Sequence, residues 1–365
     1  MRFPVSQPDL SGNEERYVVE ALRSSWISSR GEFLDRFERE FAAMCGTHYA
    51  IATTSGTTAL HLAMLALDVR PGDEVLVPSL TYVATANAVR YVGAEPVFVD
   101  VDPATWCIDP QLIESKITRR TRGIIPVHLY GHPADMDTIN RLAAVHGLWV
   151  VEDAAEALFA RYKDRPVGGL GRIGVFSFYG NKILTSGEGG AVVTNDAQLD
   201  LRLRTLRGQG VDPNRRYFFP VTGYNFRMTN VQAAILCAQL ERGDGILAER
   251  MRVYGRYEGG LRDTAQIRFQ PRAAWAQIAP WLFSIVCTGN ARDQLAVRLL
   301  ECGIETRPFF VPLHVLPMFR AEGRACRDEL PVTEALAAGG LNLPTYPALS
   351  NDDVDEICLA VRRSV

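Results

Sequence analysis

The stretch 174-GVFSFYGNKILTSGEGGAVVTND-196 places one lysine, Lys182, in a turn between two apolar runs. The runs GVFSFYG and GGAVVTN are rich in Val, Ala and aromatic residues, which is typical of buried strands. Gly187, Gly189 and Gly190 follow the lysine and permit tight backbone turns close to a ligand. A loop lysine is usually a solvated surface charge, so a chemical role for Lys182 depends on the rest of the sequence.

Length and composition narrow the classes of function. The 365 residues are enough for about two domains, with 47% hydrophobic and 22% charged residues, as in ordinary globular proteins. A net charge of -3 argues against a broad basic face, and therefore against a nucleic-acid partner. No run has the length of a membrane span, and the first residues lack the pattern of a signal peptide. The seven cysteines are scattered, which predicts reduced, mostly buried thiols in a cytoplasmic protein. Since no run has the length of a membrane span, we expect no membrane partner.

The region from about residue 49 to 195 alternates strand-like and helical patterns. Seven apolar runs indicate strands: YAIATTS, DEVLVPS, EPVFVDVD, GIIPVHLYG, LWVVEDA, GVFSFYG and GGAVVTN. The segments TTALHLAMLALD, YVATANAVRYVG and ADMDTINRLAAVHG between them carry apolar residues at helical spacing. This alternation predicts an α/β fold with a mostly parallel sheet and helices on both faces.

The pattern changes in the C-terminal third. Residues 229–264 indicate a long helical region interrupted near Gly243 and Gly245. Beyond it, WLFSIVCT and IETRPFF indicate strands, and ARDQLAVRLLECG between them indicates a helix. We predict a large α/β domain over residues 1–245, whose N-terminal segment contributes to the cleft, and a smaller α+β domain over residues 246–365.

Polar residues follow two of the predicted strands, and ligands bind at the carboxyl ends of strands in open α/β sheets. Ser55, Gly56 and Thr57 join the first strand to a helix, whose free N–H groups suit a phosphate, although a plain helix cap explains the tripeptide equally simply. Asp153 ends the apolar run LWVVEDA. There it either caps the next helix or pairs with a cation, which could be a protonated ring nitrogen or a metal.

Ser177 and Lys182 form a third strand end, five residues apart. An amine at the edge of an apolar site has a lowered pKa and can attack a carbonyl carbon. A phosphate cradle, a strand-end Asp and this Ser-(x)4-Lys turn together match what pyridoxal 5'-phosphate (PLP) requires. The sequence therefore predicts PLP as the cofactor, and no metal site.

Blocks along nearly the whole chain resemble the DegT/DnrJ/EryC1/StrS family of sugar aminotransferases. The blocks are FEREFAAMCG, TTSGTTALHLA, VPSLTYVATANAV, VFVDVDPATW, VEDAAEAL, FSFYGNKILTSGEGGAVVTND, GYNFRMTNVQAAILCAQLER and ETRPFFVPLH. The resemblance implies the aspartate-aminotransferase-like fold of PLP-dependent transferases, fold type I. It also implies an enzyme that transfers an amino group.

The resemblance assigns roles to individual residues. Lys182 bonds to the cofactor and shuttles the proton, Asp153 pairs with the pyridine nitrogen, and Tyr82 stacks on the ring. A homodimer with shared active sites is implied, in which Asn225 reaches the phosphate of the other subunit. The residues implied to hold the phosphate within the subunit are Ser55, Gly56, Thr57 and Ser177.

Glu156 stands where many family members have Gln near the phenolic oxygen of the cofactor. Together with GNK and GEGG, it is typical of the branch that resembles GDP-perosamine synthase. The implied reaction takes an amino group from glutamate to the C4 keto carbon of a nucleotide-linked 4-keto-6-deoxy sugar, with a GDP-linked sugar as the first expectation. A UDP- or dTDP-linked sugar and amination at C3 stay open. Arg227, Arg307 and His314 are candidate substrate contacts.

Other functions fit the sequence less well. A dehydratase of the same fold would have His in place of Lys182. A nicotinamide-dependent oxidoreductase would need GxGxxG after the first strand, and this motif is missing. A non-catalytic regulatory protein of the same fold is the alternative from another class, opposed by the acidic net charge and the complete set of cofactor residues. His128 and His132 are interpreted as structural histidines.

Overall fold

The computed structural model describes residues 1–212, 214–289, 291–320 and 329–365. The helices in these ranges are α1 (Glu14–Arg23), α2 (Glu32–Cys45), α3 (Gly56–Ala66), α4 (Ala84–Tyr91), α5 (Pro110–Lys116), α6 (Met136–His146), α7 (Ala197–Arg207), α8 (Asn230–Glu241), α9 (Gly243–Leu261), α10 (Arg292–Glu301), α11 (Pro317–Arg320), α12 (Pro331–Gly339) and α13 (Asn351–Ser364). Single 3₁₀ turns span Leu129–Gly131 and Leu313–Val315.

The strands fall into three sheets. They are β1 (Tyr49–Thr53), β2 (Glu74–Pro78), β3 (Glu95–Val99), β4 (Thr121–Ile124), β5 (Trp149–Asp153), β6 (Arg161–Tyr162), β7 (Arg165–Pro166), β8 (Ile173–Ser177), β9 (Gly190–Thr194), β10 (Ile267–Phe269), β11 (Ala276–Gln277), β12 (Phe283–Cys287), β13 (Arg307–Pro308) and β14 (Gly340–Leu343).

The seven apolar runs of the sequence form one seven-stranded sheet. Its strand order is β1-β9-β8-β5-β4-β2-β3. Strand β9 is antiparallel to both of its neighbours, and the other pairs in this sheet are parallel. The predicted α/β fold with a mostly parallel sheet is therefore confirmed.

Successive side chains of β8 point to opposite faces of the large sheet, and both faces are buried. Phe176 and Phe178, two residues apart, point to the same face, where they pack edge-on against Phe37 and Phe41 of α2. Val175 points to the opposite face and belongs to the core beneath α3 and α7. Because side chains alternate, Ser177 lies on the α3 face of the sheet.

The C-terminal third forms a four-stranded antiparallel sheet of order β10-β12-β14-β13. Helices α9, α10 and α13 share its apolar core. The helical region over 229–264 breaks between Glu241 and Gly243, close to the predicted interruption. The strand expected over IETRPFF is shorter than predicted, because only Arg307 and Pro308 pair with β14.

Two features join the predicted domains. The short strand β11 pairs with β6, so residues from both sides of the 245/246 division share a third sheet. Phe3 forms a bridge with Ile304 and lies in the apolar core of the C-terminal sheet. The division into residues 1–245 and 246–365 stays a prediction.

Five of the six described cysteines are buried, as the sequence predicts. Cys302 is exposed because it follows the last turn of α10, and Cys326 lies outside the described residues. Within the described ranges, no helix combines the length and the apolar character that a membrane span needs.

Candidate active site

Strand register brings the predicted site segments to one edge of the large sheet. Gly190, the first residue of β9, lies opposite Thr53 of β1 and Ser177 of β8. On the other side of β8, Asp153 pairs with Val175. The carboxyl ends of β1, β5 and β8 therefore meet around the start of β9.

Two glycines allow the start of α3 to lie directly against this edge. A Cβ atom at Gly190 would come within 2.4 Å of the backbone of Ser55, and one at Gly56 within 2.8 Å of the Ser177 Cβ. Since neither position has room for a side chain, the first turn of α3 sits next to the Ser177 side chain.

The first turn of α3 is capped by its own side chains. The N–H of Thr58 donates to Ser55 Oγ at 3.2 Å, and the N–H of Ser55 donates to Thr58 Oγ1 at 3.0 Å. The N–H groups of Gly56 and Thr57 belong to the first turn, where helical backbone provides no acceptor. They give this end of the helix the partial positive charge that favours an anion.

A cavity of about 390 Å³ opens beside this helix end. Its walls come from the large sheet on one side and from the C-terminal third of the chain on the other. Nine predicted site residues line it: Ser55, Gly56, Thr57, Tyr82, Asp153, Glu156, Ser177, Lys182 and Arg307. The sequence blocks chosen from separate strand ends thus converge on one site.

Asp153 is a buried acid at the wall of the cavity. Thr85 Oγ1 donates to Oδ2 at 2.7 Å, and the N–H of Ala155 donates to Oδ1 at 3.2 Å. Burial raises the pKa of Asp153, while the Thr85 hydrogen bond and the charge of Lys182 oppose the rise. A buried carboxylate of this kind favours a cationic ligand that restores charge balance.

Glu156 is a second buried acid in the same cavity. Its Oε2 accepts the N–H of Tyr130 at 3.0 Å. Burial raises the pKa of Glu156 to about 7, against the opposing effects of the Lys182 charge and the Tyr130 N–H. The raised pKa favours the protonated carboxyl group, which can donate as well as accept a hydrogen bond.

The turn that reaches Glu156 is tight. Tyr130 has a φ of 54° and Gly131 a φ of 96°, both in the left-handed region. A Cβ at Gly131 would lie 2.0 Å from the carbonyl oxygen of Ala279. Only glycine fits at 131, so this turn carries the Tyr130 N–H into a fixed position.

Lys182 lies in the cavity and is partly buried. Its Nζ is 3.6 Å from the centroid of the Trp281 ring. Burial lowers the pKa of Lys182, and Arg307 lowers it further, while Glu156 and Asp153 raise it. A lowered pKa leaves a larger fraction of free amine, which is the nucleophilic form.

Three predicted site residues lie outside this cavity. Asn225 is exposed, and its Oδ1 accepts a hydrogen bond from Arg227 Nε at 3.0 Å. Arg227 lines a different cavity, of about 1000 Å³. His314 is buried, with Nδ1 2.7 Å from Ser79 Oγ and Nε2 3.1 Å from Glu334 Oε1.

Sequence reasoning missed several residues of the site. Thr85, which binds Asp153, lies one helical turn after Tyr82 in the SLTYVAT block, and this spacing could have identified it. Trp281, Leu282, Phe310 and Asn342 also line the cavity. They come from the C-terminal third, where no local pattern indicates which residues face the sheet.

The residues of the cavity fit PLP. Its anionic phosphate matches the start of α3 next to Ser177, where Gly56 leaves no side chain in the way. At the other end, the buried Asp153 matches a protonated ring nitrogen, and the Lys182 amine lies in the same cavity.

Comparison with known sequences gives full-length matches. The model of the DegT/DnrJ/EryC1/StrS aminotransferase family matches residues 8–362. GDP-perosamine synthase of Caulobacter vibrioides is 48% identical over 99% of this chain and 97% of its own length. GDP-perosamine synthase of Escherichia coli O157:H7 is 44% identical over 98% of this chain and 97% of its own length.

Solved structures agree with the same family. The aminotransferase TlmJ from Streptoalloteichus hindustanus superposes with a TM-score of 0.93 at 33% identity, covering 99% of this chain and 98% of that protein. DesV of S. venezuelae, solved in complex with a ketimine intermediate, gives 0.91 at 39% identity, covering 96% and 94%. These likenesses confirm the fold class and the aminotransferase activity.

Glu156→Gln tests the raised pKa of this acid. Gln keeps an oxygen to accept the Tyr130 N–H but has no titrating proton. The Glu156 pKa is about 7 in the fold against 4.5 for the free side chain, so the cofactor-free wild type loses stability as pH rises through this interval. The variant lacks this loss. The difference in unfolding free energy, variant minus wild type, should therefore increase by about 2–3 kcal/mol between about pH 5 and pH 8.

Chemical denaturation at each pH measures this difference. Glu15→Gln is the matched control, since Glu15 is exposed on α1 and should show no such trend. A stability difference between Glu156→Gln and wild type that does not change with pH would contradict the prediction.

Proposed function

Since the chain belongs to the DegT/DnrJ/EryC1/StrS aminotransferase family, we propose that it uses PLP to aminate the C4 keto carbon of a GDP-linked 4-keto-6-deoxy sugar, with glutamate as amino donor. The observation that carries the proposal is the meeting of Lys182, Asp153 and Glu156 in one cavity next to the start of α3. This arrangement offers an amine, an anion for a ring nitrogen and a phosphate site within one small volume.

The cofactor would be held at both ends. The first turn of α3, with Ser55, Gly56 and Thr57, and the Ser177 hydroxyl bind its phosphate. Asp153, fixed by Thr85, keeps the pyridine nitrogen protonated. PLP, when bound, supplies an electrophilic aldehyde and a ring that withdraws electrons from the reacting carbon.

Two further side chains orient the ring in this proposal. Tyr82 lies at the mouth of the cavity, 57% exposed, with its ring centroid 5.9 Å from that of Phe310, and offers a flat face for stacking. Glu156 faces the phenolic oxygen. Its pKa of about 7 lets it donate a hydrogen bond there, which removes the repulsion that two anionic oxygens would have.

Lys182 has two roles in the proposed reaction. Its amine bonds to the cofactor, because burial lowers its pKa and exposes the lone pair. Once released, the same amine takes the α-proton of glutamate and later returns a proton to C4 of the sugar. Both transfers need the amine close to the reacting carbon, and its place in the cavity supports this role.

The proposed nucleotide and sugar of the substrate are based on the names of the proteins most similar in sequence among those compared above. Proteins named GDP-perosamine synthase are 44% and 48% identical to this chain over nearly its full length, which favours a GDP-linked 4-keto-6-deoxy sugar. Arg307 is the candidate contact to the substrate within the cavity. UDP- and dTDP-linked sugars, and amination at C3, are the alternatives.

The proposed enzyme is a homodimer with shared sites. Asn225 and Arg227 lie outside the cavity of their own chain, and their side chains bond to each other. Asn225 is exposed and Arg227 half-buried at a second cavity, so both can face a partner subunit, and we assign Asn225 to the phosphate and Arg227 to the substrate diphosphate of the partner's site. His314 keeps a structural role in this arrangement.

Lys182→Ala tests the cofactor bond. The wild type, purified with PLP, should be yellow, and its visible absorbance band should bleach when glutamate is added. The variant should fold but lose the band, the response to glutamate and transaminase activity, the last by on the order of 10³-fold or more.

The composition provides a matched control for this test. The chain has only three lysines, Lys116, Lys163 and Lys182. Lys163 is exposed and pairs with Asp137, so Lys163→Ala should keep the band and the activity. A colourless wild type that takes up no PLP would instead favour a regulatory protein of the same fold.

A substrate panel tests the nucleotide. Incubation with glutamate and GDP-, UDP- or dTDP-linked 4-keto-6-deoxy sugars, read by product mass, should give an amino sugar from the GDP-linked substrate. We expect its kcat/KM to exceed those of the others by at least about tenfold. A preference for a UDP- or dTDP-linked sugar, or a product aminated at C3, would contradict the proposed substrate.

Hybrid dimers test the shared site. Lys182→Ala and Asn225→Ala proteins should each be impaired alone. A hybrid dimer carries one site in which the intact Lys182 and the intact Asn225 meet, so mixing the two proteins under exchanging conditions should restore about a quarter of wild-type activity. If Asn225 served its own subunit, mixing would restore nothing.

A further inference from the structure

The indole ring of Trp281 lies against the Lys182 amine. Nζ lies 3.6 Å from the ring centroid, within the range of an attractive cation–π contact. Trp281 is only 5% exposed and lines the cavity together with Lys182. One side of the amine is thus covered by an aromatic face that excludes water.

The same ring is tied to the backbone that carries the lysine. Its Nε1–H donates to the carbonyl oxygen of Asn181 at 2.7 Å, and Asn181 directly precedes Lys182. The ring therefore contacts Lys182 twice, at the amine and through the preceding peptide. A buried indole N–H needs an acceptor, and here the acceptor is the peptide that directly precedes the lysine.

Arg250 of α9 forms a hydrogen bond to the backbone of Trp281. Arg250 Nη1 donates to the carbonyl oxygens of Trp281, at 2.9 Å, and of Thr345, at 3.1 Å. Arg250 is 1% exposed, and among the described residues no ion pair joins it to a carboxylate. Burial lowers the pKa of Arg250 to about 10, so it keeps its charge at neutral pH.

A buried charge without a carboxylate partner is costly, and its two carbonyl bonds offset only part of that cost. The cost is explained if the position of Trp281 matters to the site. Both carbonyl oxygens accept from the same nitrogen, Nη1, so this one group links the backbone of Trp281 to that of Thr345.

We propose that Trp281 is a positioning residue that holds the Lys182 side chain against its ring inside the cavity whenever that side chain is not bonded to PLP, and that Arg250 fixes the ring in this place. The inference rests on the proposed function, in which the Lys182 amine is free before it bonds to PLP and again after its release. With the ring in place, the amine stays within reach of the cofactor instead of extending toward the cavity mouth.

The lysine itself gives a readout that does not depend on activity. With only three lysines in the chain, labelling lysine with ¹³C at Cε gives three sets of signals, which Lys182→Ala assigns. A ring face at this distance shifts the Cε protons upfield. In the cofactor-free wild type, we expect the Lys182 signal upfield of those of Lys116 and Lys163.

Three variants separate the contributions of the Trp281 ring, its indole N–H and Arg250 to the upfield shift of the Lys182 signal. Trp281→Leu should remove the upfield shift, and Trp281→Phe, which keeps a ring but no indole N–H, should retain part of it. Arg250→Met should reduce it although the ring is present. Trp275→Leu is the control, because Trp275 packs on His132 and Tyr162 and should leave the shift unchanged.

The rate of PLP uptake by the cofactor-free protein gives the second readout. Trp281→Leu should slow it by at least about tenfold, with a smaller loss for Trp281→Phe. An upfield shift that is missing in the wild type or persists in Trp281→Leu overturns the positioning role, even where PLP is bound normally. A wild type that takes up no PLP refutes the proposed function instead, while the lysine signal still reports whether Trp281 holds the amine.

Discussion

Three ionisable groups share one poorly solvated cavity, and their mutual balance determines what the cavity can bind. Burial raises the pKa of Asp153 and of Glu156 and lowers the pKa of Lys182, so each group alone would tend toward its neutral form. Together they stabilise one another, because the charge of Lys182 opposes both rises. A ligand that brings a cationic ring nitrogen to Asp153 takes over the role of the ammonium and frees the amine to react. The same electrostatic balance therefore fits a ligand with a cationic ring nitrogen and a carbonyl group, as proposed for PLP.

Strand order holds these groups together. Inserting β9 antiparallel between β1 and β8 places its first residue, Gly190, at the edge where the other strands end. Since Gly190 has no side chain, the turn that begins α3 packs on it directly, and the helix end faces the cavity. A larger residue there would push α3 away from Ser177 and separate the proposed phosphate site from the lysine. The chemistry thus depends on a backbone contact as much as on the titrating groups.

Sequence patterns predicted the parts of the site that local physics determines. Short runs rich in β-branched and aromatic residues identified all seven strands of the large sheet, and polar residues at their ends identified Asp153, Ser177 and Lys182. Contacts between residues far apart in the sequence depend on packing, and the sequence patterns did not predict them. Trp281 reaches Lys182 across 99 positions of the chain, and nothing near either residue indicates the other. The left-handed turn at Tyr130, which brings an N–H to Glu156, follows from the close approach of Gly131 to Ala279 and not from a turn motif.

The block ETRPFFVPLH suggested that His314 contacts the substrate, but in the structure this side chain is buried and contacts Ser79 and Glu334 instead. The backbone N–H of His314 donates to Ser79 Oγ at 3.2 Å, and its Nδ1 lies 2.7 Å from the same oxygen. Its Nε2 lies 3.1 Å from Glu334 Oε1, so both ring nitrogens have a polar partner. Ser79 lies three residues before Tyr82, at the start of the loop that also leads to Thr85. A buried histidine from the C-terminal third thus fixes the loop that carries Tyr82, as Arg250 fixes Trp281, so two parts of the cavity wall are held by bonds from outside it.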